Sequence, residues 1–144
     1  MKKLIYLCVM AILISGCASL GHIDQLRTEN RQNILKLKIG MTKQEALEIV
    51  GNKTATDSYA NWEKATANNP YKSEILQGKD KTFEVIYYLT ESKHQKMVDA
   101  WGWSQPVPIT DDELTPLIFD NGKLIGWGWS FLQENINKYE IRVR

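Results

Sequence analysis

Cysteine and histidine are scarce in this chain. Its 144 residues hold two of each: Cys8 and Cys17, His22 and His94. Both cysteines fall within the first 17 residues. Everything after them has no thiol for a disulfide, a metal or a nucleophile, so packing must hold the fold. Two separated histidines do not make a His/Cys metal site. A serine–histidine–acid arrangement would have to use His94, and no G-x-S-x-G elbow is present. Neither enzymatic activity nor a cofactor or metal is therefore expected. Charge of one sign is also lacking. The formal net charge is +1, which gives no pull toward nucleic acid. No apolar run reaches the roughly 20 residues of a spanning helix. The run Leu4–Ile14 stops at 11.

That run has a context. Lys2 and Lys3 precede it, and Ile14-Ser15-Gly16-Cys17 closes it. A positive start followed by a short apolar stretch reads as a signal peptide. The closing four residues resemble the bacterial lipobox, in which signal peptidase II cuts before the cysteine and the sulfur is acylated. The resemblance implies a lipoprotein signal peptide over 1–16, lipidation at Cys17 and a lipidated tether over 17–22. The lipid bilayer, reached through acylated Cys17, is then the first partner. Two or more acyl chains hold a protein stably where one does not. Ala18 and Ser19 stand where an aspartate would retain such a protein in the inner membrane, so the outer membrane, periplasmic face, is expected. Removing 1–16 leaves 128 of the 144 residues and, without Lys2 and Lys3, a charge of −1. One domain, 23–144, with its own core suits that length.

Within it, Ile23, Leu26, Ile34 and Leu37 fall near one helical face, with Gly40 as a stop. "MTKQEALEIVG" is the clearest local signal. Thr42 and Glu45 have capping-box spacing, and Gly51 is the expected left-handed residue after a helix over Lys43–Val50. Asn52–Ser58 reads as loop and Tyr59–Glu63 as a short strand. Lys64–Lys81 reads as an insertion with turns at Asn68-Asn69-Pro70 and Gly78-Lys79-Asp80. Thr82–Thr90 is the best strand. Phe83, Val85, Tyr87 and Leu89 share one face, with Ile86 and Tyr88 on the other. Glu91–Glu113 is a long excursion with a helical piece at Lys93–Ala100. Leu117–Phe119, the turn Asp120-Asn121-Gly122 and Lys123–Phe131 form a hairpin, with Pro116 at a strand start or edge. The tail opens as a short helix with Ile136 and Tyr139 inward and ends as a strand, Glu140–Arg144. The expected class is α+β, with two short N-terminal helices packed on a small antiparallel sheet.

Two stretches carry a family resemblance. G-M-T-x-x-E-A-x-x-x-V-G at Gly40–Gly51 and F-D-N-G-K-L at Phe119–Leu124 resemble the BamE (SmpA/OmlA) family of small outer-membrane lipoproteins. The resemblance covers the two ends of the domain. It implies a layer like that of BamE or of each half of the β-lactamase inhibitory protein, here with insertions at Glu63–Lys81 and Glu91–Glu113. It also implies a non-enzymatic protein-interaction module, acting on another envelope protein in outer-membrane protein assembly or envelope integrity.

Four of the five tryptophans lie in two copies of "WGWS", at Trp101–Ser104 and Trp127–Ser130. Nothing around the copies matches, so they are not a repeat. On a strand, Ile125, Trp127, Trp129 and Phe131 share one face, and Leu124, Gly126, Gly128 and Ser130 the other. Either the glycine face packs under a helix and the tryptophans stay open, or the tryptophan face is core. Four large apolar residues on one face favour core. Trp101 and Trp103 sit in a Gly/Pro-rich loop and either staple it or face a ligand. If the copies meet, Trp101, Trp103, Trp127 and Trp129 line a groove for a peptide strand, a glycan or a lipid tail. That is the alternative function, a periplasmic ligand-binding or enzyme-inhibitor module. Asp111-Asp112-Glu113 reads as a cap after Thr110 rather than a carboxylate site, and Arg142 and Arg144 as an exposed strand end.

Overall fold

The computed structural model describes residues 21–59, 62–92, 97–98, 101 and 104–140. Among the described residues, three α-helices and eight strands make a mixed α+β fold. Helix α1 spans His22–Ile34 and buries Ile23, Leu26, Asn30 and Ile34, spacings that put all four on one face. It stops six residues before Gly40. The N–H groups of Lys36 and Leu37 turn back to Asn33 and Ile34 at 3.0 and 3.1 Å, a tight last turn that still leaves Leu37 buried.

Helix α2, Lys43–Val50, follows the local signal closely. Glu45 N–H donates to the Thr42 hydroxyl at 3.2 Å, and Thr42 N–H donates to Glu45 at 2.8 Å. The Glu45 carboxyl, which accepts from the Thr42 N–H and also from its hydroxyl at 2.8 Å, is held below its usual range by those two bonds. Gly51 has φ 96° and ψ 171°. The sign of φ is as expected, but the conformation is extended, in a region open essentially to glycine alone.

The main sheet is antiparallel throughout, in the order β3 (Lys72–Gln77), β4 (Thr82–Leu89), β7 (Leu114–Asp120), β8 (Lys123–Trp127). Asn121 and Gly122, at φ 49° and 75°, form the two-residue turn between β7 and β8, where both positions need positive φ. Pro116 lies inside β7 rather than at its start. Its carbonyl accepts from Gly128 at 2.8 Å. Its nitrogen therefore faces the same side, where β8 has already ended and no ladder bond is lost.

Several elements differ from expectation, β3 among them, since Lys72–Gln77 lies in the stretch read as insertion and pairs along β4. Thr54–Ser58 and Lys64–Asn68, read as loop and insertion, pair as β1 and β2; of the strand expected over Tyr59–Glu63, the described Tyr59, Trp62 and Glu63 are not strand, and 60–61 lie outside the described residues. Ala55 and Ala67 lie across from each other and are buried. Two small residues let the hairpin approach α1 closely. Met97–Val98 is a strand, β5, paired with β6 (Ser104–Gln105), and not helix. The rest of the expected helical piece, and the strand expected over 141–144, lie outside the described residues.

The sheet divides the core. On one face, Ile86, Tyr88, Leu117, Phe119 and Leu124 pack with Ile34, Leu37, Ala46 and Val50. On the other, Phe83, Val85, Tyr87, Leu89 and Ile118 pack with Ile23, Leu26, the β1–β2 alanines and Leu132 of helix α3 (Trp129–Lys138). Each fully buried large side chain contributes about 1.5–3 kcal/mol. Strand β4 is buried on both faces from Val85 to Leu89.

Candidate functional site

The two strand tryptophans part company. Phe119 pairs with Leu124 and Ile118 with Gly126, which leaves Ile125 as an extra residue in β8. A bulge shifts the alternation of the strand by one. Leu124 and Trp127 thus fall on the α2 face, while Ile125 packs against the opposite cluster. Gly126 faces that opposite side too, where a Cβ would overlap the Phe131 ring. The expectation that Ile125, Trp127, Trp129 and Phe131 share a strand face is corrected. Gly128, at φ 89°, ends the strand and starts α3, so Trp129 and Phe131 are helical. Phe131, Leu132, Ile136 and Tyr139 make the inward stripe of α3.

Trp127 is half-buried beside Leu117. Trp129 lies across the sheet, its ring centroid 5.8 Å from that of Tyr87. Its indole N–H donates to Leu114 O at 2.7 Å. Trp101, between β5 and β6, is largely exposed. Trp103 lies outside the described residues, as do Cys17 and His94. The structure thus separates Trp127 from Trp129 by the thickness of the sheet.

Two surfaces that sequence reasoning missed stand out. The first is the start of α1. Asp57 of β1 accepts from His22 N–H at 2.7 Å and from Ile23 N–H at 3.3 Å. A carboxylate placed there satisfies orphan donors and meets the positive end of the helix dipole. At the other end of β1, Lys53 bonds Glu29 at 2.8 Å, which lowers the Glu29 carboxyl below its ordinary value. Helix and strand therefore run antiparallel, tied at two points. Tyr59, just beyond, is raised by partial burial and by Asp57 and Asp24. After it comes Trp62, 94% exposed.

The second surface is the edge of the sheet. The outer edge of β8 is closed: Gly40 N–H donates to Leu124 O, and Leu124 N–H to Met41 O, both at 2.8 Å. Strand β3 pairs with β4 and, among the described residues, with no strand on its other side. Ile75 is 64% exposed on it.

Titratable groups inside the fold are engaged structurally. Thr110 N–H donates to Glu113 at 3.2 Å, as the capping spacing suggested. Glu113 is buried and also receives Arg27 Nη2 at 3.3 Å, while Arg27 Nη1 donates to Asp24 at 2.7 Å. Among the described residues, no three His, Cys, Asp or Glu side chains are grouped to hold a metal, and no helix is long and apolar enough to cross a membrane.

No curated protein and no solved structure matches the chain. A family described as "Protein of unknown function (DUF3192)" matches residues 8–134. That match spans both core faces and the start of α3, and the chain belongs to the DUF3192 family.

Proposed function

We propose that this chain is a lipoprotein anchored through acylated Cys17, at the periplasmic face of the outer membrane, that works as a protein-interaction module without enzymatic activity. The open edge of β3 carries this reading. A sheet edge offers unpaired N–H and C=O groups, a ready template for a strand from another chain. Here one edge is closed by Gly40 and Met41 and the other, among the described residues, has no strand paired to it, with Ile75 exposed beside it. An envelope protein that presents an extended segment is the partner that such an edge fits. The leader and Gly40–Gly51 support the finer form of the proposal. In that form, a BamE-like layer of two helices on an antiparallel sheet serves outer-membrane protein assembly or envelope integrity.

Photocrosslinking from position 75 in intact cells, followed by identification of the captured protein, tests it. Capture of an outer-membrane assembly protein, lost when Ser73→Pro blocks strand addition, is the expected result. Capture of a soluble periplasmic enzyme would favour an inhibitor module. No crosslink dependent on the β3 edge would remove the reading.

A further inference from the structure

We infer that the β1–β2 turn bearing Trp62 enters the headgroup region of the bilayer that holds Cys17, an inference that rests on the lipid anchor proposed above. Its first ground is direction. α1 and β1 are antiparallel, tied by His22 to Asp57 and by Glu29 to Lys53. The turn that follows β1 therefore projects past the first turn of α1, on the side where the chain leaves toward Cys17. Four residue steps from Gly21 to Cys17 reach at most about 14 Å. The turn and the anchor consequently emerge at the same end of the molecule.

The second ground is the residue presented there. Trp62 sits at φ 66° in a turn closed by Tyr59 N–H to Glu63 O at 2.9 Å and Trp62 N–H to Tyr59 O at 3.0 Å. The indole is 94% exposed. Tryptophan concentrates at membrane interfaces, where its ring meets acyl chains and its N–H stays wet. A protein partner is less suited to it. Among the described residues, Ser58, Glu63 and Lys64 near it in the chain are exposed and polar, and they give the indole no apolar rim of the kind that surrounds a protein hot spot. Glu63 and Lys64 offset each other in charge, and the contact needs no anionic lipid.

The contact is weak in isolation. It becomes effective because the anchor already holds the domain at the surface, so the turn meets lipid at high effective concentration. Its consequence is orientation: a tethered domain that could tumble is held with one end down.

The test uses the processed, acylated protein in phosphatidylcholine vesicles, with and without lipid brominated near the headgroup. Bromine should quench part of the emission, at most the share of one indole in five. Trp62→Phe should abolish that part, and Trp101→Phe should leave it unchanged. Equal quenching in Trp62→Phe and the parent, with the N-terminal peptide shown acylated by mass spectrometry, would overturn this inference alone. An N-terminal peptide without acyl mass would overturn the anchor and this inference with it.

Discussion

Asn30 of α1 and Asn69, at the end of β2, exchange their side-chain amides inside the core. Asn30 Nδ2 donates to Asn69 Oδ1 at 2.9 Å, and Asn69 Nδ2 returns a bond to Asn30 Oδ1 at 2.5 Å. Asn30 Nδ2 also reaches Leu89 O at 2.7 Å. One reciprocal pair thus joins the first helix, the outer hairpin and the central strand. Asn30→Leu strands both Asn69 and the Leu89 carbonyl. Each unsatisfied buried group costs about 1–3 kcal/mol, so a loss of that order or more is expected in urea unfolding. Asn69→Ala, which spares the Leu89 bond, should cost less.

The Arg27–Glu113 pair gives a different expectation. Both side chains are nearly buried, at 12% and 3% exposure. Glu113→Ala takes one of two carboxylate partners from a largely buried guanidinium, which keeps Asp24, and should cost about 1–3 kcal/mol. Arg27→Met combined with Glu113→Leu removes both charges and should recover most of that loss. A double-mutant cycle by chemical denaturation reads the difference.

Gly126 and Phe131 are coupled by contact. A Cβ at 126 overlaps the ring, so Gly126→Ala should cost about 1–3 kcal/mol through overpacking. The same change in a Phe131→Ala background should cost much less. Additive effects in thermal melts would show that the glycine serves the backbone instead.

Alkaline pH should weaken the fold. Burial pushes Tyr88 up to about 12 from 10.0. Tyr87 is raised further, first by burial and then by its bond to Glu74. Unfolded tyrosines ionise near pH 10. Above that pH the unfolded chain binds fewer protons than the folded one, so stability is full below pH 10 and falls as pH climbs to about 12. The slope is about 1.4 kcal/mol per pH unit for each tyrosine. Tyr88→Phe should flatten it, as followed by denaturant midpoints from pH 8 to 11. The substitution itself should be mild, because the hydroxyl has one long bond, 3.4 Å to Gly51 O.

Asp57 can be tested as a cap supplied from a distant strand. Asp57→Ala should cost about 1 kcal/mol, as loss of a local cap does. Asp57→Asn keeps one acceptor and should cost less. Amide exchange at His22 and Ile23 localises the effect to the first turn of α1.

These residues also show what could be read in advance. The capping box at Thr42, the turn at Asn121-Gly122 and the strand around Tyr87 are written within a few neighbouring positions, and they were legible. Strands β1 and β2 were not. "TATDS" and "KATAN" hold few apolar residues, and what fixes them is a partner strand and a helix elsewhere in the chain. Nothing beside Asn30 in the sequence marks it as buried, because its partner is 39 residues away. Ile125 hid the placement of the tryptophans, since one extra residue reverses every side chain after it. The Trp62 turn and the β3 edge were missed for a simpler reason. An exposed surface is defined by what fails to cover it, and one stretch of sequence does not carry that information.

The dividing sheet has a consequence for how damage spreads. Strands β4 and β7 are shared walls, with separate apolar clusters on either side. Atoms lost at Phe119 leave a void that main chain isolates from Phe83. Changes on opposite sides should sum, since they share no side-chain neighbours, whereas two on one side should interact. The molecule is thus insulated against itself: one chamber can be remodelled over many generations while the other keeps its shape.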